Sequence, residues 1–166
     1  MRRRVALLGA GVVVALSAAL LLPRAARRAA SRRLLDALAA VPLGAPLDSV
    51  RAALPSLYCS GMMHGMHGDP AGHEQMCAAD ADGRDVNVTA RDGRLAAITV
   101  VAFRRDMADV TAWARSRFGA PAGACTGDRG PMEWWAAGNR IVTVTRPVAG
   151  ARSRELVIRP GPACPG

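Results

Sequence analysis

The sequence predicts an α+β protein: an N-terminal transmembrane helix followed by one domain of two helix-plus-antiparallel-meander repeats. Three observations predict it. Val5 to Leu22 is an 18-residue run without a charge, introduced by Met1-Arg2-Arg3-Arg4 and closed by Pro23-Arg24. Beyond residue 43, stretches with helical spacing give way to stretches of period-two alternation punctuated by Gly-containing turns. That order of elements occurs twice, with Val50 and Val110 at corresponding places.

Residues 1–23 read as a signal-anchor. At about 1.5 Å per residue, a helix over Val5–Leu22 approaches the ~30 Å hydrocarbon core of a bilayer. A small-x-small cleavage site is poorly formed. Ser17-Ala18-Ala19 lies inside the apolar run, and Arg24 and Arg28 interrupt the stretches that end at Ala26 and Ala30. The segment is therefore expected to be retained, with the lipid bilayer as its partner. Residues 24–43 read as a basic juxtamembrane linker. Within it Ser31 to Val41 either prolong the membrane helix or form a short linker helix, before Pro42, Gly44 and Pro46 break the pattern.

Charge does not point to nucleic acid. The formal net charge is +9, but residues 1–33 hold eight arginines and no acid, whereas the remainder holds fourteen arginines against thirteen acids. The excess belongs to the membrane-proximal segment, where it suits anionic headgroups. Every Lys/Arg position is arginine, and with the Ala and Gly richness this is the habit of a high-G+C bacterial genome.

The domain is expected over 44–166, long enough for one core. Leu47, Val50 and Leu54 share a helix face, with Asp48 or Ser49 as the cap and Pro55 as the stop. A strand near Gln75–Ala79 turns at Asp82-Gly83. Arg84 to Ala90 alternates Val86, Val88 and Ala90, Asp92-Gly93 makes a hairpin, and Leu95 to Phe103 returns. The second half opens with Asp106 capping a helix to Phe118, with Met107, Val110, Ala114 and Phe118 inward, stopped by Gly119 and Pro121. Met132–Ala136, a Gly138-Asn139 turn, Ile141–Thr145 and Leu156–Arg159 complete it. Trp134 and Trp135 are adjacent on a strand, so one ring faces the core and the other the surface. Each half alone has too little core, so the two must pack as one sheet or as two facing sheets.

The stretches L-D-S-V-R-A-A-L-P and D-V-T-A-W-A-R-S-R-F-G-A-P, with the hairpins V-N-V-T-A-R-D-G-R-L-A-A-I-T-V and G-N-R-I-V-T-V-T, carry a resemblance in pattern. Over most of 44–160 the body resembles the small bacterial envelope modules of tandem helix-plus-antiparallel-sheet repeats, as in the β-lactamase-inhibitor-protein-like fold. The resemblance implies a non-enzymatic domain that binds other proteins. It transfers no functional residue.

Cys59, Cys77, Cys125 and Cys164 are an even set, which an oxidising compartment would join as two disulfides. Three pairings exist, and the two-half organisation favours Cys59–Cys77 and Cys125–Cys164. This cysteine content, against the literal count of flanking arginines, favours an extracytoplasmic body on a single-pass cell-membrane protein.

Between the first two cysteines lie all three histidines, His64, His67 and His73, and Met62, Met63, Met66 and Met76. Thioether and imidazole are ligands that suit Cu(I). His64, His67 and two or three of those methionines are the candidate copper set. The alternative is a mobile surface loop without specific chemistry. In a cytoplasmic body, Cys59, Cys77 and two histidines would instead read as a zinc site. Asp80, Asp82 and Asp85 around Gly83 read as a polar turn, because the spacing of a calcium loop is absent. No nucleophile elbow, phosphate loop or dinucleotide fingerprint is present, so an enzyme is not expected. The sequence thus points to a membrane-anchored bacterial envelope domain with a non-enzymatic protein-binding or structural role, its partner an envelope protein. The alternative is a copper- or silver-binding envelope protein using the loop 62–76.

Overall fold

Alternating strands leave one side of each meander apolar, and the architecture follows from how that side is covered. The computed structural model describes residues 25–59, 74–81, 83–103, 107–146, 148 and 150–164. Eight strands make a single antiparallel sheet: β1 (Tyr58–Cys59), β2 (Glu74–Ala81), β3 (Arg84–Arg91), β4 (Arg94–Phe103), β5 (Gly123–Gly127), β6 (Gly130–Ala137), β7 (Arg140–Thr145) and β8 (Ser153–Arg159). Their order is β1-β2-β3-β4-β8-β7-β6-β5. Three helices are described: α1 over residues 25–40, α2 (Leu47–Ala53) and α3 (Met107–Phe118).

The order mirrors itself about the β4–β8 pair. Each half is a helix followed by a four-stranded meander, α2 with β1–β4 and α3 with β5–β8. Ala81 and Arg84 flank the first hairpin turn as Ala137 and Arg140 flank the second, each 56 positions later. Val100 of β4 pairs with Leu156 of β8, again 56 positions apart. Equivalent residues therefore meet at the centre of the sheet, as a two-fold repeat requires.

Register carries two rows of buried side chains across the sheet. One runs Cys77, Val88, Ile98, Ile158, Val142, Trp135, and the next runs Ala79, Val86, Val100, Leu156, Val144. Over them lie Leu34, Leu35, Leu38 and Ala39 of α1, Leu47 and Val50 of α2, and Val110, Trp113 and Ala114 of α3. Hydrogen bonds lock the helices together. Trp113 Nε1 donates to Asp36 Oδ1 at 2.9 Å, joining α3 to α1. Arg140 Nη1 donates to the carbonyls of Ala39 at 2.7 Å and Val41 at 3.2 Å, which satisfies acceptors left open where α1 ends.

These contacts correct the membrane-span-or-linker reading of Ser31–Val41. Leu34, Leu35, Leu38, Ala39 and Val41 face the sheet and are core, while Ala40 is exposed. Among the described residues no helix is long and apolar enough to cross a membrane. Val5–Leu22 lies outside the described residues. Among the described residues nothing supports the single-pass transmembrane assignment, or the bilayer partner, cell-membrane location and envelope partner that followed from it, and these readings are set aside.

Two local details also differ from expectation, each for a physical reason. At the start of α2 neither Asp48 nor Ser49 is the cap. Pro46 stands there at φ −59°, without a side-chain cap bond, and bridges to Arg94 of β4. Asp48 instead pairs with Arg51 at 2.8 Å. In β4, simple alternation would put Leu95 on the same side as Ala97 and Thr99. A register shift at Thr89/Ala90 leaves Ala96 unpaired, so Leu95 faces Ala90 and is buried.

The outer strand β5, a Gly-Ala-Cys-Thr-Gly segment without apolar alternation, is not legible as a strand. It fits because Gly123 lies beneath the Trp134 indole. A Cβ there would stand 2.6 Å from Trp134 Nε1 and 2.9 Å from its Cε2. Gly123→Ala must displace the ring, and is expected to cost about 1–3 kcal/mol as overpacking. Urea unfolding followed by tryptophan fluorescence measures this, and an unchanged midpoint would contradict the packing. Leu35→Ala, on the helix first read as a linker, is expected to cost about 2–5 kcal/mol as a core truncation. A loss below ~0.5 kcal/mol, the range of ordinary surface substitutions, would mean that α1 is not part of the core.

Candidate functional site

The sheet has a helix-covered side and an open side, and each carries a disulfide. Cys59 and Cys77 are register partners on β1 and β2, with Cα atoms 3.9 Å apart, and the bond lies on the helix-covered side. Cys125 shares the open side with its register partner Met132. It bonds Cys164 at a Cα separation of 6.1 Å. The chain after β8 is therefore brought back over the open side as a strap. Arg159 steadies it, with Nη1 and Nη2 donating to the carbonyls of Pro160 and Ala163. Met132 and Thr143 point to the open side yet are only 8% and 6% exposed.

With both pairs of cysteines oxidised, the thiolates that a Cys₂His₂ zinc site needs are not available. Nothing among the described residues supports the copper reading either. His64, His67, His73, Met62, Met63 and Met66 lie outside the described residues. Met76, the remaining member, is a β2 residue in register with Thr89 of β3. Among the described residues no group of three or more His, Cys, Asp or Glu could hold a metal ion. The polar turn at Gly83 is what the spacing suggested: Asp80 Oδ1 accepts the Gly83 N–H at 3.1 Å. Of the paired tryptophans, Trp135 is buried and donates through Nε1 to Gly119 O at 3.0 Å, while Trp134 lies half-buried on the open side.

The charged constellation with the most chemical content lies where α3 meets the second meander. Thr111 and Arg115 stand four apart on α3 and so share a face. Glu133 of β6, Val144 and Thr145 of β7, Arg154 of β8 and Arg146 just beyond β7 complete a cavity of about 250 Å³. Arg115 Nη2 donates to both oxygens of Glu133, at 3.0 and 3.2 Å. Arg154 Nη1 donates to Thr111 Oγ1 at 2.8 Å. Burial pushes the Arg154 guanidinium below its ordinary pKa, and the negative charge of Glu133 opposes that shift. Three guanidinium groups face one carboxylate, so the lining carries a net charge of +2. Guanidinium groups carry five donors each, more than one partner engages, and several of them around one cavity are how proteins hold oxyanions and carboxylates.

Sequence reading did not single out these residues. The spacing of Thr111 and Arg115 was available. With fourteen arginines after residue 33, however, nothing marked Arg115, Arg146 and Arg154 as convergent until register brought β6, β7 and β8 together. A second, smaller cavity of about 140 Å³ opens on the other side of the sheet, between Met132, Thr143, Val157 and Arg159, where Arg129 ion-pairs with Glu155. Its charges are balanced, and it offers less purchase on a ligand. Comparison with protein-family models, with curated proteins and with solved structures returns no match.

The strap gives a stability prediction. Replacing Cys125 and Cys164 together with serine reopens a closure of 39 residues and is expected to cost up to about 4 kcal/mol. The same change at Cys59 and Cys77, 18 residues apart, is expected to cost about 3 kcal/mol, to which the loss of core packing adds. Chemical denaturation of each double variant measures this. No loss at Cys125/Cys164 would mean that the strap contributes nothing to the fold.

Proposed function

We propose that this chain is a non-catalytic binding domain that takes an anionic group into the cleft between α3 and β6–β8. One observation carries the reading: Arg115, Arg146 and Arg154 converge with Thr111 and Thr145 on a single cavity that holds only one carboxylate. Electrostatic attraction supplies the affinity, and the fork of the partly buried Arg154 supplies geometry, because its position is fixed by Thr111. The two disulfides suit a rigid, preorganised scaffold in oxidising surroundings. The resemblance to tandem helix-plus-sheet modules belongs to the same proposal. It is supported by the repeated element order, and it implies binding in place of catalysis. The cleft's own chemistry agrees: its side chains are donors and an ion-paired carboxylate, with no paired nucleophile and base among the lining residues.

Calorimetric titration of the full chain with small inorganic and organic anions tests the reading. Saturable binding is expected to weaken steeply with added salt. Arg154→Ala is expected to weaken it by about ten- to a hundredfold, the scale of one lost charge-assisted contact. Binding that survives Arg154→Ala unchanged would place the site elsewhere.

A further inference from the structure

The cleft is not a uniform field of donors. Glu133 stands in it with its side chain 14% exposed, and Arg115 holds both carboxylate oxygens. An ionised carboxylate has about four acceptor positions, and the Arg115 contacts engage only part of them. A ligand that enters the cleft therefore meets guanidinium donors and one carboxylate acceptor. A fully ionised anion turns a bare oxygen toward Glu133 and is repelled. An anion that keeps one proton can donate it there while its other oxygens receive the guanidinium groups.

We propose that the cleft selects a singly protonated phosphate, with Arg115, Arg146 and Arg154 holding its ionised oxygens and Glu133 accepting its P–OH. The proposal rests on the anion-binding reading and adds to it the identity of the ligand's chemistry. Charge matches: monohydrogen phosphate carries two negative charges, and the lining carries a net charge of +2. Size also matches, since about 250 Å³ accommodates one phosphate with room for a substituent or for bridging water. The inference separates ligands that net charge alone would not. Sulfate has the same charge and shape as monohydrogen phosphate but no proton at neutral pH. A phosphate diester has no proton either. A phosphate monoester, whose second ionisation lies at a pKa of about 6, is mostly deprotonated at neutral pH and must take up a proton to bind.

The test uses the full chain and four probes at neutral pH and equal ionic strength: inorganic phosphate, sulfate, dimethyl phosphate and glycerol 2-phosphate. Titration calorimetry is expected to show phosphate binding at least about tenfold tighter than sulfate or dimethyl phosphate, the factor given by one charge-assisted hydrogen bond gained in place of a repulsion. Glu133→Gln is expected to bring phosphate and sulfate within about threefold of each other, because the amide can donate to sulfate where the carboxylate could not. Should that variant fail to fold, the wild-type chain still decides. Glycerol 2-phosphate, titrated in two buffers of different ionisation enthalpy, is expected to bind with uptake of close to one proton. Free inorganic phosphate as the physiological source is favoured if it outbinds the monoester at neutral pH, and a phosphorylated molecule if the order is reversed. Equal binding of phosphate and sulfate by the wild-type chain, or monoester binding without proton uptake, would overturn the selectivity while leaving the anion cleft standing. No binding of any of the four would overturn both.

Discussion

The structure depends on the antiparallel seam between β4 and β8. Ile98 faces Ile158 there, and Val100 faces Leu156. Each meander alone would be a four-stranded sheet with one apolar side and a single covering helix, too little to bury a core. Pairing the last strand of one with the last strand of the other makes one eight-stranded sheet. It also aligns the two rows of buried side chains into a continuous surface, over which α1, α2 and α3 lie together. The hydrogen bonds that cross between halves belong to this arrangement. Arg140 from the second half closes the end of α1. Trp113 of α3 reaches Asp36 on α1.

The cleft belongs to the second meander. Glu133, Arg154 and the β7 residues come from three strands and gather because the meander sets β8 beside β7 and β7 beside β6. α3 is held over them by Val110, Trp113 and Ala114, which turns Thr111 and Arg115 toward the sheet margin. Among the described residues the first half shows no matching constellation. Its β2 and β3 carry Cys77 and Ala79 against Val88 and Val86, an apolar pairing closed by a disulfide. The two units thus share an element order but differ in how their polar groups are placed, with Arg84 of β3 fully buried in the first and Glu133 and Arg154 meeting at a cleft in the second. The strap beyond β8 adds to the asymmetry by tying the C-terminal segment to β5 on the open side.

Much of the domain was legible where local chemistry and tertiary structure agree. Asp92-Gly93 and Gly138-Asn139 mark hairpins because only residues that tolerate positive φ fit there, and Asp92, Gly93 and Gly138 all adopt it. The stripes Leu47–Val50–Leu54 and Val110–Ala114 face the core as their spacing requires. The reading failed where the local signal had two meanings. An Arg-rich helix carrying Leu34, Leu35 and Leu38 next to an apolar run reads as membrane-proximal, yet the same leucines serve equally well against a sheet. β5 was missed because its glycines and cysteine hold no alternation; it exists because β6 offers a free edge and Trp134 needs a flat neighbour. The cleft was missed because arginine is the only strongly basic residue in this chain, so convergence and not composition is the signal. The clustered histidines and methionines drew attention by concentration alone, and all of them but Met76 lie outside the described residues.

Whether two repeats truly form one cooperative unit through the seam is best measured by native-state amide hydrogen exchange on the full chain with its disulfides intact. The account predicts that the slowest amides lie at Val86–Val88, Ile98–Val100, Val142–Val144 and Leu156–Ile158. It also predicts that they share one opening free energy equal to that of global unfolding. Amides of β2–β4 and of β6–β8 that open with two separate free energies would contradict it, because the halves would then be independent folding units that merely lie side by side.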